Sequence, residues 1–323
     1  MSEPLLKVKN LKTYFTSRHS QVKAVDGVDF VVGKGRVLGI VGESGSGKSM
    51  TSLSIMGLVP GPQGKIVEGE ILLEDMDLVK LSDKQMENVR GNLVSMIFQE
   101  PMTALNPVLT IGEQISEMLI KHRSMRKSEA MAKAIEMLRS VGFARAEQIV
   151  KEYPHQLSGG MRQRAMIAMA MSCEPKLLIA DEPTTALDVT IQAQVLELMK
   201  DLRDRTGTSV VLITHDLGVI AEMADDMIVM YGGQVVESGT ADDVFEVTLH
   251  PYTKALLASI PVIDEERDRL YAIPGTVPSA ANFPVGCRFA DRCSLVETRC
   301  RETMPELQEV RTGHWVRCHL VTK

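Results

Sequence analysis

Short apolar runs punctuate the chain at VDFVV (28–32), VLGIVG (37–42), LVSMIF (93–98), LLIAD (177–181), SVVLITH (209–215) and DMIVMYGGQVVESG (226–239). Their length and β-branched content predict strands, and because several are almost continuously apolar, those strands are expected to be buried on both faces of a sheet. Between Gln99 and Cys173 the strand signal vanishes. There IGEQISEMLIKHR and KSEAMAKAIEMLRSVGF carry apolar residues at helical spacing, which predicts a mostly helical subdomain over about 100–173. Beyond 245–250 the chain breaks into short segments around Pro251, Pro261, Pro274, Pro278 and Pro284. The expected organisation is an α/β domain over 1–245 followed by a small loop-rich extension over 246–323.

Composition narrows the class. A chain of 323 residues with 44% hydrophobic and 24% charged positions is ordinary globular protein, long enough for two domains. Thirty-six Lys and Arg against 42 Asp and Glu leave a formal charge of −6, so no nucleic-acid partner is expected. No run approaches the roughly 18 apolar residues of a spanning helix, and the start, MSEPLLKVKN, has no signal-peptide h-region; the chain is expected on the cytosolic side. Four of the 5 cysteines fall between positions 287 and 318, a cluster that in a reducing compartment points to a metal more than to disulfides.

Three motifs carry chemistry. Gly42-Glu43-Ser44-Gly45-Ser46-Gly47-Lys48-Ser49 fits G-x-x-x-x-G-K-[ST] between a predicted strand and a helical pattern. Gly42, Ser44, Gly45 and Gly47 let backbone N–H groups curl around the β- and γ-phosphates of a nucleotide, Lys48 reaches the phosphate oxygens, and Ser49 can bind Mg²⁺. LLIAD delivers Asp181 as the metal-side carboxylate; Glu182, one position on, is either a general base that polarises water or a strand-end acid that faces solvent or caps the next helix. Leu157-Ser158-Gly159-Gly160-Met161-Arg162-Gln163-Arg164 opens a helix with a serine and two glycines, a second phosphate cradle.

With that third motif the sequence resembles the nucleotide-binding subunits of ABC transporters, whose signature is L-S-G-G-x-x-x-R. The resemblance implies a P-loop NTPase core with a helical subdomain, and a head-to-tail pair in which the P-loop of one subunit faces Ser158, Gly159 and Gly160 of the other. Further marks follow in order. Phe98-Gln99-Glu100-Pro101 is similar to the Q-loop, which implies that Gln99 reaches Mg²⁺ and the attacking water. Thr185-Ala186-Leu187-Asp188 is similar to the D-loop, with Asp188 bridging to the other subunit. Ile213-Thr214-His215-Asp216 is similar to the switch region, with His215 on the γ-phosphate. Phe15 in NLKTYF stands where the family stacks an aromatic on adenine, with Tyr14 a rival.

The tail sharpens the resemblance. His250-Pro251-Tyr252-Thr253, ALLASIP, IPGTVPS and Pro-Val-Gly-Cys-Arg-Phe-Ala resemble the C-terminal extension of ATPase subunits of oligopeptide, dipeptide and nickel importers, as do YPHQLSGGMRQR and ADEPTTALDVTIQAQ. The implied function is ATP hydrolysis that powers uptake of oligopeptides or dipeptides. The implied partners are a second ATPase subunit, identical or paralogous, two transmembrane permease subunits and an extracellular or periplasmic solute-binding protein. The implied location is the cytoplasmic face of the membrane. The alternatives are the same transporter type importing nickel or metal chelates, and a soluble ABC ATPase of DNA repair or translation. A small-molecule P-loop kinase leaves LSGGMRQR, Gln99 and His215 unexplained.

Cys287, Cys293, Cys300 and Cys318 suit a tetrahedral zinc or a [4Fe–4S] cluster, the alternative being unligated or disulfide-forming cysteines. The tight C-x₂₋₄-C knuckle of zinc sites is missing, which favours iron–sulfur, and some members of the importer family carry such a cluster on cysteines placed like these. Arg288, Arg292, Arg299, Arg301 and Arg317 lie beside the thiols in sequence and are expected to offset a negative cluster. Cys173 is expected to be a buried apolar residue outside the set.

Overall fold

The computed structural model describes residues 3–18, 20–100, 104–185, 187–260 and 272–321; Pro101, Ala186 and Pro261, singled out in the motifs above, lie outside them. The chain divides into two compact units, one comprising 1–5, 33–36 and 81–211, the other 6–32, 37–80 and 212–323.

The first unit is built on a parallel strand pair, Val94–Ile97 and Leu177–Asp181, in the register Val94↔Leu177 to Ile97↔Ala180. Every residue of both strands is buried, as their unbroken apolar sequences require. Helices Ile111–Arg123 and Lys127–Ser140 pack together. The first begins at Thr110 because a capping box closes there: Thr110 Oγ1 accepts from the Glu113 N–H while the Glu113 carboxylate accepts from the Thr110 N–H. Ile115, Leu119, Ala130, Ala134 and Leu138 form the buried stripes of the two helices. At about 1.5–3 kcal/mol per large apolar side chain, these stripes rather than helix propensity hold the pair. The expected helical region is present, completed by Ala146–Ile149 and Gly159–Met171. Helix Val189–Thr206 is capped by Asp188 at its start and ends at Gly207, whose φ of 69° suits a left-handed cap.

The second unit contains an antiparallel sheet with strand order Gln21–Gly33, Pro4–Thr16, Gly64–Leu73, Met76–Asp77 among the described residues. Strand Val37–Val41 pairs in parallel with Asp226–Tyr231, aligning Leu38 with Asp226 and Ile40 with Ile228. The sequence DMIVMYGGQVVESG, expected as one strand, is a hairpin of Asp226–Tyr231 and Gln234–Thr240. Gly232 and Gly233, at φ 54° and 81°, take the two positive-φ positions of its turn, so the apolar run reverses instead of continuing. Strand His314–Val316 adds to the hairpin, and Gln308–Arg311 adds to it in turn, so part of the loop-rich extension is sheet. No helix among the described residues is long and apolar enough to cross a membrane.

Candidate functional site

In the second unit the fully buried strand Val37–Val41 feeds a glycine-rich loop, and Lys48 opens helix Lys48–Ile55. Gly42 and Gly47 adopt φ of 148° and 103°, and a Cβ would fall 2.2 Å from the Met230 carbonyl oxygen at the first and 2.6 Å from that of Ala24 at the second. Only glycine fits either position, so the tight curl of the loop follows from its spacing. Ser44, Gly45 and Ser49 are exposed, whereas Ser46 and Lys48 are buried. The Lys48 ammonium donates to the carbonyls of Gly42 at 2.7 Å and Glu43 at 3.1 Å, which holds its charge beneath the loop. The exposed face, backed by a helix N-terminus and a buried cation, suits an anion.

Glu43 is tied to the C-terminal residues of the same unit. Its backbone N–H donates to the Tyr252 hydroxyl at 2.9 Å, and its carboxylate accepts two bonds from the Arg292 guanidinium, at 2.7 and 2.9 Å. Asp26 accepts from the Tyr14 hydroxyl and from Arg288, which also donates to the Gly232 carbonyl. Burial would push the Asp26 carboxyl up, but the Tyr14 bond and the Arg288 cation outweigh it and hold the group below its usual range. Tyr14 is therefore committed to Asp26. Phe15 is half-buried, with its ring edge where a Cβ on Gly64 would stand. His215 is exposed, just before Asp216, whose carboxylate caps helix Leu217–Met223 through the N–H groups of Gly218 and Val219.

The first unit places the acids. Strand Leu177–Asp181 ends with Asp181 buried, and Glu182 follows in a left-handed backbone conformation at φ 48°, an uncommon state for a non-glycine residue. Its carboxylate accepts from Gln99 Nε2 at 3.0 Å and from Thr185 Oγ1 at 2.8 Å. Gln163, on the helix opened by the signature residues, donates to the Pro183 carbonyl, linking that helix to the turn behind Glu182. Ser158 caps the same helix, accepting from the Met161 N–H at 3.4 Å. A Cβ on Gly160 would meet Ile191 at 2.9 Å, whereas one on Gly159 would stand in open space. Ser158, Gly159, Gly160 and Asp188 line one cleft of about 730 Å³, together with Arg145 and Arg164. Asp188 Oδ1 accepts from the Ile191 N–H at 3.0 Å.

Cys287, Cys293, Cys300 and Cys318 converge on one small cavity with His250 and Phe289, and all are free thiols. The Cys287 N–H donates to the Cys300 carbonyl at 2.7 Å, which joins two of the segments. Burial pushes the Cys287 thiol up to about 11, and burial raises Cys293 and Cys318 as well. Yet no group of three or more His, Cys, Asp or Glu among the described residues is arranged to hold a metal ion. The donor set and its convergence suit a soft metal, while the ligating arrangement expected from the sequence is not formed. Of the arginines, Arg317 interacts electrostatically with the Cys287 thiol, and all five also bond to other groups. Arg288 and Arg292 turn to Asp26 and Glu43, Arg299 and Arg301 to Glu297 and Asp291, and Arg317 to the Val235 and Pro305 carbonyls. Cys173 lies outside the set, buried, with its thiol on the Met118 carbonyl.

A phosphate loop between a buried strand and a helix, an acid at the end of a second buried strand and a serine-glycine helix start define a P-loop nucleotide-binding cassette. Residues 25–185 match the family described as ABC transporter, and residues 236–300 match the oligopeptide/dipeptide transporter C-terminal region. The chain is 63% identical over 316 residues to the oligopeptide transport ATP-binding protein AppD of Bacillus subtilis, covering 98% of this chain and 96% of that one. It is 51% identical to the dipeptide transport ATP-binding protein DppD of the same organism, covering 98% and 95%. Among solved structures, the dimeric MJ0796 cassette bound to ADP and Pi is similar at 31% identity and a TM-score of 0.65, over 73% of this chain and 98% of that one. The chain belongs to the family of ABC transporter ATP-binding proteins.

Proposed function

We propose that this protein is the ATP-hydrolysing subunit of a bacterial ABC importer of oligopeptides or dipeptides. The observation that carries the reading is the match of residues 236–300 to the oligopeptide/dipeptide transporter C-terminal region on the same chain as the phosphate loop. The cassette ends near residue 245 and the extension begins at 246. Lys48 and the loop N–H groups bind the β- and γ-phosphates of ATP, and Phe15 stacks on adenine. Ser49 and Gln99 would hold Mg²⁺, with Asp181 as the metal-side carboxylate, and the ion when bound would neutralise phosphate charge. Glu182 accepts the proton of the attacking water, Gln99 and Thr185 hold its carboxylate, and His215 donates to the γ-phosphate. Ser158, Gly159, Gly160 and Asp188 serve the nucleotide of a second ATPase subunit, a copy or a paralogue. Two permease subunits carry the solute from a solute-binding protein, so the chain sits peripherally on the cytoplasmic face.

Cys287, Cys293, Cys300 and Cys318 would be the residues to hold a [4Fe–4S] cluster, with zinc the competing occupant. The support is their convergence on one cavity, and the cluster takes no part in hydrolysis. Anaerobically purified protein with a broad band near 400 nm that is lost in Cys293→Ser supports iron–sulfur; colourless protein with stoichiometric zinc overturns it.

Isolating the intact complex through a tag on this chain and identifying its chains by mass spectrometry tests the main reading. Two membrane-spanning permeases with a second ATPase subunit are expected. A complex without membrane proteins would contradict it and favour a soluble ATPase.

A further inference from the structure

The contact between Glu43 and the C-terminal residues lies outside every role assigned above. Glu43 is the second residue of the phosphate loop, and Arg292 immediately precedes Cys293. Their side chains make a bidentate pair in which Arg292 is 4% exposed and Glu43 30%. Such a fork fixes position and direction together, unlike a single exposed ion pair. The guanidinium is itself held: it donates to the Pro274 carbonyl at 2.8 Å, bonds the Tyr231 hydroxyl at 3.4 Å and lies 5.8 Å from the centre of the Tyr231 ring. A second anchor acts on the backbone of the same residue, because the Glu43 N–H donates to Tyr252.

Tyr252 is fully buried, edge-on to Tyr231 at 4.6 Å and 5.3 Å from Phe289. Its position is set from the chain start of its helix, where His250 Nδ1 accepts the Tyr252 N–H at 3.0 Å. Side chain and main chain of Glu43 are thus both pinned from residues 250–292. Lys48 takes its anchor from the carbonyl of that same Glu43. Displacing Glu43 therefore displaces an acceptor of the phosphate-binding ammonium.

We propose that Arg292 is a positioning residue for nucleotide binding: through its bidentate bond to Glu43, the C-terminal extension holds the phosphate loop in its binding shape. Arg292 acts through Glu43 rather than on the nucleotide. The proposal rests on the reading that this loop binds ATP.

The test is ATP affinity of the full chain, by fluorescent-nucleotide titration, in wild type, Arg292→Met, Arg292→Lys, Glu43→Gln and the double variant Glu43→Gln/Arg292→Met, with the thermal midpoint measured alongside. Arg292→Met and Glu43→Gln are each expected to raise Kd about tenfold, about 1.4 kcal/mol. The double variant is expected to be no worse than the weaker single, because both remove one interaction. Arg292→Lys, which keeps charge but loses the fork, is expected between wild type and Met. Glu43→Gln alters the more exposed partner, so a misfolded Arg292→Met leaves the question answerable. Both single variants within twofold of wild-type Kd, with or without a lower midpoint, overturn the proposal, as do effects that multiply in the double. Wild type that binds no ATP, or Lys48→Ala that binds as wild type, overturns the underlying reading and the proposal with it.

Discussion

Gln99 donates from Nε2 to the Glu182 carboxylate at 3.0 Å, joining residues 83 positions apart in sequence. Thr185 adds a second donor to the same oxygen, at 2.8 Å. A carboxylate held by two donors is oriented before any water arrives, which is what a general base requires. Gln99→Ala leaves one of those donors, so turnover is expected to fall about tenfold or more while ATP affinity changes little. Steady-state ATPase assays paired with nucleotide titration check this; an equal loss in both would assign Gln99 to binding instead.

The cleft that holds Ser158, Gly159, Gly160 and Asp188 is lined from a single chain, yet its chemistry is that of a phosphate cradle. Ser158→Arg replaces the cap hydroxyl of that cradle with a bulky cation. In a Glu182→Gln background, Ser158→Arg is expected to abolish ATP-driven pairing on size-exclusion chromatography while single-chain ATP binding persists. Normal pairing would show that the cradle does not face a second subunit's nucleotide.

His250 is fully buried, and burial lowers its pKa from 6.5 to about 3. Above pH 6.5 the ring is neutral folded and unfolded, so it contributes no pH dependence. Below that, the unfolded chain takes a proton that the folded chain refuses, so stability falls with pH by up to about 1.4 kcal/mol per unit until the folded ring titrates. Between pH 6.5 and 5 the thermal midpoint of wild type is expected to drop more than that of His250→Asn, which retains a side-chain acceptor at the helix start. Parallel curves would contradict the assignment.

Much of this was legible in sequence because it is local. VLGIV, the glycine loop and Lys48 are contiguous, and LLIAD carries its acid at its own end; strand, turn and helix there follow from nearest neighbours. The GG dipeptide of DMIVMYGGQVVESG signals a hairpin turn, but the apolar continuity on both sides masks it. The strand Pro4–Thr16 hides behind its lysines: Lys7 and Lys9 alternate with buried Leu6 and Val8, but a bulge between Lys9 and Lys12 interrupts the period before Leu11 resumes the buried face. The pairs Arg292–Glu43 and Arg288–Asp26 span 249 and 262 positions, so no local pattern announces them. Adjacency in sequence to Cys287 and Cys293 does not say which way a long side chain turns: Arg288 and Arg292 pair with Asp26 and Glu43, while Arg317 interacts electrostatically with Cys287.

Glu182→Gln tests the account most directly. The substitution removes the base and keeps the shape and an acceptor for Gln99. The full chain carrying it is expected to bind ATP with wild-type affinity and to hydrolyse it at least ~100-fold more slowly, the scale of losing a general base. Turnover near the wild-type rate would contradict the assignment of Glu182 as the residue that activates water.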